Sequence, residues 1–206
     1  MPRIIDHDQR RLQVAQVVED LVYEKGVAAL TVRDVARRAG CSTSIVSHYF
    51  ANKLEMLVFT HEMVRRRAET RLLKQIGEGQ SLVTCLRRLL PSDAESKRDW
   101  HTFFAFWGMA PSDPKISAEW LAGTSGAQEI FAILLRQARD SGEICESIDP
   151  ATDAFKLQVI INGISSLVLQ DEESWPEERQ LALLGDMLAS HFGYTKGAVG
   201  ASAESG

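Results

Sequence analysis

Cysteine is scarce in this chain of 206 residues: Cys41, Cys85 and Cys145 are odd in number and widely spaced. That excludes a disulfide framework and the paired spacing of a zinc site, and the three are expected to be reduced thiols. Long apolar runs are missing as well. No stretch approaches the roughly 20 residues of a membrane span, and the opening MPRIIDHDQRR has no apolar signal core. The expectation is a cytoplasmic protein with no membrane partner. With 14 glycines and 6 prolines, the composition is not that of a fibrous or disordered chain. There is no internal repeat and no strand-like alternation of useful length. G-x-S-x-G, P-loop and G-x-G-x-x-G motifs are absent. His61-Glu62 opens the H-E-x-x-H zinc motif, but Arg65 occupies its last position. His7, His101 and His191 stand singly and read as surface or hydrogen-bonded side chains. No metal, no cofactor and no enzymatic activity are expected.

What is present is the composition of an ordinary globular protein of one or two domains, 45% hydrophobic and 25% charged. The net charge of −5 hides a division along the chain. Residues 1–75 carry 13 Lys and Arg against 9 Asp and Glu, whereas residues 76–206 carry 10 against 19. A polyanion is the expected partner of the basic third, and something different that of the remainder.

The periodicity is helical almost throughout, so the fold class is all-α. Val14, Val17, Val18, Leu21 and Val22 give one stripe and predict a helix from about 8 to 25, ended by Gly26. Thr31 with Asp34 resembles a capping box, and Val32, Val35, Ala36 and Ala39 form the buried side of a short second helix that Gly40 stops. Ser42 can cap a third. There Ile45, Val46, Tyr49 and Phe50 are expected to point inward, leaving Ser44, Ser47 and His48 on the opposite, polar face. Asn52 with Glu55 opens a long fourth helix to about Ile76, on which Arg65-Arg66-Arg67 reads as a solvated face. Further helices are expected near 80–90, 94–110, 114–139, 150–170 and 176–192. Asp149 and Pro150 open the fourth of these, and Ser174 with Glu177 the fifth. Residues 193–206, GYTKGAVGASAESG, read as a disordered tail.

Two short helices joined by a tight turn at Gly40, behind a first helix, form the arrangement of a helix-turn-helix DNA-binding unit. Such a unit needs an apolar back and a front of small hydrogen-bonding groups that can enter a major groove. Residues 42–49 offer both. The expected DNA contacts are Thr31 and Ser42 at helix N-termini, Arg33, Thr43, Ser44, Ser47, His48 and Tyr49, with Lys53 on the flanking backbone. Arg37 and Arg38 add charge nearby. Cys41 reads as a small apolar turn residue.

The segment TVRDVARRAGCSTSIVSHYFANKLEML at 31–57 resembles the signature of the TetR family of bacterial transcriptional regulators, with Thr31, Ala36, Gly40, Ser42, Tyr49, Phe50, Lys53 and Leu57 matching. The chain departs from the family habit at Ser44, where Gly is frequent, and at Ser47, where Tyr is. SHYF at 47–50 and AFW at 105–107 are similar to the BetI-type branch, which the resemblance associates with choline and osmoprotectant genes. The resemblance implies a homodimeric repressor on a palindromic operator, released by a small-molecule effector. It implies a DNA-binding domain at 1–52 and a helical ligand-binding and dimerisation domain at 53–192.

Two stripes in the acidic part fit those roles. Leu157, Ile160, Ile161, Ile164 and Val168, with Gly163 and Ser165 for close approach, and Leu181, Leu184 and Leu188, are the expected dimer interface. Trp100, Phe103, Phe104 and Trp107 lie on one aromatic face, with Trp120 and Glu119 on the next helix and Asp113 before it. Several π faces and a carboxylate would suit choline or another organic cation, although the same spacing also suits plain core. A helical enzyme of unknown class and a protein-binding adaptor are the rival readings.

Overall fold

Side-chain caps decide where the first helices begin. The computed structural model describes residues 7–195, and the remainder of the expected tail lies outside the described residues. Helix α1 (His7–Lys25) is followed by α2 (Val32–Arg38), where Thr31 Oγ1 accepts from the Asp34 amide at 3.1 Å and donates to the Asp34 carboxylate at 2.7 Å. Helix α3 (Thr43–Tyr49) starts at Ser42, whose hydroxyl accepts from the Ile45 amide at 3.4 Å. Between them Gly40 has φ +62, a left-handed conformation, and the Cys41 amide reaches back to the Ala36 carbonyl at 3.0 Å. A glycine takes that conformation without the strain a Cβ would bring. Helix α4 (Lys53–Gly77) opens with a reciprocal pair: Asn52 Oδ1 accepts from the Glu55 amide at 2.9 Å and Glu55 from the Ala51 amide at 2.7 Å.

The rest of the described chain is helical too: α5 (Leu82–Arg87), α6 (Ala94–Met109), a 3-10 turn at Ala110–Ser112, α7 (Pro114–Asp140), α8 (Pro150–Gln170) and α9 (Glu177–Phe192). No strand occurs among the described residues. Helix α5 is shorter than its periodicity suggested. Asp149 caps α8 by accepting from the Ala151 amide at 3.1 Å, with Pro150 in the first turn. At α9 the expectation fails: Pro176 holds the cap position, and the Ser174 amide instead donates to Asp171 while its carbonyl accepts from Arg179. A proline immediately before Glu177 supplies the extended entry that a Ser cap would otherwise provide.

Contacts divide the chain into two compact units, one of residues up to Arg67 with Arg98–Leu121, the other of Ala68–Lys97 with residues from Ala122 on. In the first unit α1, α2 and α3 close on a core of Val14, Val18, Leu21, Val35, Val46 and Phe50, which continues through Met56 and Leu57 of α4 to Phe106, Ala110 and Ile116. A buried ionic knot lies beside it. Arg67 of α4 bonds both Glu19 of α1, at 2.6 Å, and Asp99 of α6, and the two carboxylates are almost wholly buried. Burial alone would lower the Arg67 pKa, but its hydrogen bonds to Glu19 and Asp99 and their charges outweigh that and raise it. The run at 65–67 is therefore not a solvated face. Arg65 lies 3.7 Å from Glu119, and Arg66 alone of the three is exposed, bonding Glu62 at 2.5 Å. Residue spacing cannot see partners 32 and 48 positions away.

In the second unit α8 and α9 pack on each other. Leu157, Ile160, Ile161, Ile164, Val168, Leu184 and Leu188 are all buried within the single chain, and Leu181 is half-buried. The apolar face left open is offset from that stripe: Phe155 is 50% exposed, Val159 64% and Leu167 39%. They line a groove with Gly163, Leu183 and Met187, and with the edges of Ile160 and Ile164. Glu143, buried, caps α5 by accepting from the Leu82 amide at 2.8 Å. Gly193 ends α9 with φ +61, and a Cβ there would come 3.1 Å from that of Cys145.

Removing Arg67 leaves two buried carboxylates without their shared cation, so Arg67→Ala should lower the unfolding free energy by about 3–5 kcal/mol. Arg66→Ala breaks an exposed pair and should cost less than about 0.5 kcal/mol. Urea titrations of the two variants check the contrast, and equal losses would contradict it.

Candidate DNA-binding face and effector site

Helix α3 is two turns long, and only Val46 of its seven residues is fully buried. Thr43, Ser44, Ser47 and His48 are exposed, as the sequence suggests, together with Thr31, Arg33 and Ser42. Ser42 and Ser44 hydroxyls lie 2.7 Å apart. Tyr49 is half-buried, its ring 5.2 Å from that of His48 and 4.7 Å from that of His7. Ile45 departs from expectation. It is 40% exposed, outside the core, and lines a shallow depression with Arg10, Ser44, His48 and Tyr49. A stripe of i, i+1, i+4, i+5 is too wide for a two-turn helix to bury, and its outer edge faces water.

The charges around this face are partly committed. Lys53 donates to the Val27 carbonyl at 2.7 Å, tying the start of α4 to the turn before α2. Arg38 pairs with Glu24, and Arg37 with Asp34 at 2.8 Å. Hydrogen bonds from Lys25 and then Thr31 hold the Asp34 carboxyl down to a pKa of about 2. Arg11 lies over the rings of Phe59 and Phe50, 4.4 and 5.1 Å from their centroids.

The aromatic residues of α6 and α7 meet in the same unit. Trp100 contacts Phe103 and Phe104, Phe104 stacks on Trp107 at 5.3 Å, and Trp107 stacks on Trp120 at 5.4 Å. Trp107 is 42% exposed, so the row opens to solvent at that ring. Two participants escape the i, i+3, i+4, i+7 rule. Phe106, on the buried side of α6, stacks at 4.2 Å on His61 of α4, which also faces Phe103 and Trp120. His61 is 2% exposed, and its Nδ1 makes no hydrogen bond, with Glu119 4.0 Å away. Burial first, and then the charge of Arg65, pushes its pKa down to about 4, so the ring is neutral near pH 7. Glu119 has Arg65 as a closer neighbour, and Asp113 caps α7 through the Lys115 and Ile116 amides. No cluster of metal-binding side chains and no helix long and apolar enough to cross a membrane occurs among the described residues.

A tight helical pair with a hydrogen-bonding front, carried on an all-helical chain with an open apolar face, defines a helix-turn-helix regulator. The comparisons with known proteins give it its family. Residues 18–58 match the signature of the bacterial regulatory proteins of the TetR family, and residues 79–193 that of the BetI-type transcriptional repressor C-terminal domain. The chain belongs to the TetR family, with a BetI-type C-terminal part: it is a transcriptional repressor that works as a dimer on operator DNA under a small-molecule effector, not an enzyme. It is 24% identical to the HTH-type transcriptional regulator PksA of Bacillus subtilis over 83% of this chain and 84% of that one. It is 28% identical to the regulator BetI of Vibrio atlanticus, over 82% and 80%. Among solved structures, a transcriptional regulator of Saccharomonospora viridis in complex with choline superposes with a TM-score of 0.79 at 18% identity, over 92% of this chain and all of that one.

Because His61 takes up a proton at about pH 4 in the folded chain and at 6.5 ordinarily, the unfolded state binds more protons between those values. The neutral ring's contribution is complete above pH 6.5 and is lost as pH falls to about 4, at up to about 1.4 kcal/mol per unit. His61→Phe should therefore gain on the native protein over that interval in denaturation at stepped pH. A constant difference between the two proteins would contradict the buried, neutral imidazole.

Proposed function

We propose that this repressor binds its operator through Thr31, Arg33, Ser42, Thr43, Ser44, Ser47, His48, Tyr49 and Lys53, and that choline or a related organic cation releases it. The working division is a DNA-binding head at 1–52 and an effector and dimerisation domain at 53–192, acting in the cytoplasm where operator DNA lies. The observation that carries the effector reading is the continuous aromatic row Trp100, Phe104, Trp107 and Trp120, with Phe103 and a neutral His61 beside it. Stacked electron-rich faces attract a desolvated cation, and the relative crystallised with choline has the same fold. Phe106 joins α6 to the core that also holds Val46 and Phe50. An effector that displaces α6 thus acts on the same packed core that orients the recognition helix, which is the differential contact that coupling requires.

One observation favours a second effector class. Glu119, the carboxylate that would answer a cation, already has the Arg65 guanidinium 3.7 Å away. A buried cation needs a counter-charge, and an apolar or acidic effector would use the same rings with Arg65 instead. The two classes separate in one titration of operator-bound protein, followed by anisotropy of labelled DNA and by tryptophan emission. Choline should release the DNA and quench the emission, and Trp107→Ala should require roughly tenfold more choline while leaving effector-free DNA binding unchanged. Release by a fatty acid but not by millimolar choline would assign the rings to the second class.

The dimer is proposed to form across the open face of α8 and α9, around Phe155, Val159, Gly163, Leu167, Leu183 and Met187, with Ile160 and Ile164 at its edge. Phe155, Val159, Gly163 and Leu167 recur every four residues, giving a flat stripe with a glycine where two helices approach closely. Val159→Asp places a carboxylate within that apolar stripe, at a side chain that is 64% exposed in the protomer. Sedimentation should show a folded monomer that has lost operator affinity, and an unchanged dimer would move the interface elsewhere.

A further inference from the structure

Ile45 is the apolar side chain among exposed hydrogen-bonding neighbours on α3. A single exposed isoleucine is ordinary on a protein surface, so exposure alone says nothing. Its placement says more. The side chain lines a shallow depression together with Ser44, His48 and Tyr49 of its own helix and Arg10 of α1. It lies outside the core cluster, which takes in Cys41 and Tyr49 from the same segment, and at 40% exposure much of the side chain is open to a partner. Being β-branched, it is nearly fixed at χ1 on a helix and presents a rigid apolar knob with little ordering cost. Ser44, Ser47 and His48 can exchange hydrogen bonds with base edges, but none of them senses an apolar group. In the major groove the apolar feature is the thymine C5-methyl group.

We propose that Ile45 is a specificity-determining residue that packs on a thymine methyl in each operator half-site. The inference rests on the reading of α3 as the DNA-facing helix and deepens it: it assigns one letter of the operator to one side chain. Arg10, whose Nη1 donates to Gln13 at 2.9 Å, contributes positive charge beside that contact.

The test uses full-length protein and a duplex selected by it from random sequences. Each thymine is replaced in turn by deoxyuridine, which lacks only the methyl group, and affinities are measured for the native protein and for Ile45→Ala. One thymine per half-site should be found whose replacement weakens native binding about threefold to fivefold, the effect of exposing one buried methyl. The same replacement should leave Ile45→Ala unchanged. Because the base analogue alters the DNA alone, a folding defect in the variant cannot imitate this pattern. Equal deoxyuridine penalties at every thymine for both proteins would overturn the assignment of Ile45 while sparing the DNA-binding face. Failure to select any duplex would overturn both, and unaltered sequence preference in Ser47→Ala and His48→Ala would show that another surface reads the operator.

Discussion

A guanidinium held between two buried carboxylates joins three segments that local sequence leaves far apart. Glu19 lies in α1, Arg67 near the middle of α4 and Asp99 early in α6. Desolvating two carboxylates is expensive unless a cation meets them with good geometry, so the relative placement of these helices within their unit is tightly constrained. The hydrophobic core belongs to the same unit as this knot. Phe106 and Ala110 reach it from α6, and Val46 and Phe50 from α3. The aromatic row and the recognition helix are consequently two sides of one packed object, and close-packed interiors transmit displacement instead of absorbing it.

The positive charge of the first third is also less available to DNA than its count implies. Arg11 covers aromatic rings, Arg37 and Arg38 neutralise acids on the same head, Lys53 binds a backbone carbonyl, and Arg67 is in the knot. The charge count singles out the first third of the chain, but says nothing of which of its cations already have partners. That distribution agrees with the proposed reading of the operator by a small polar face rather than by a broad basic surface.

Local rules made much of this legible in advance. Thr31, Ser42, Asn52 and Asp149 each cap the helix assigned to them, and the bounds of α8 agree to the residue, because a cap is decided within four positions. Faces were harder. On α3 the apolar set spans more arc than two turns can bury, so Ile45 went to the wrong side. On α8 the period of the stripe was right, yet its interior members are buried in the chain's own core and the open face is rotated from them. In sequence His61 stands only in an incomplete zinc motif, whereas its ring stack on Phe106 joins positions 45 apart. The ring stack of His61 and the burial of the α8 stripe depend on partners distant in sequence, which periodicity does not encode.

The three thiols differ by environment more than by sequence. Burial first, and then the charge of Glu143, raises the Cys85 thiol to about 11, so at neutral pH it stays protonated and shielded. Cys145 is exposed, and its hydrogen bond from Ser147 lowers its pKa. Thiolate character and access both select Cys145 for maleimide chemistry. A probe attached there sits beside the left-handed residue that ends α9, in the unit that carries the proposed partner face. The native sequence thus already holds a handle for following subunit association by fluorescence or spin label.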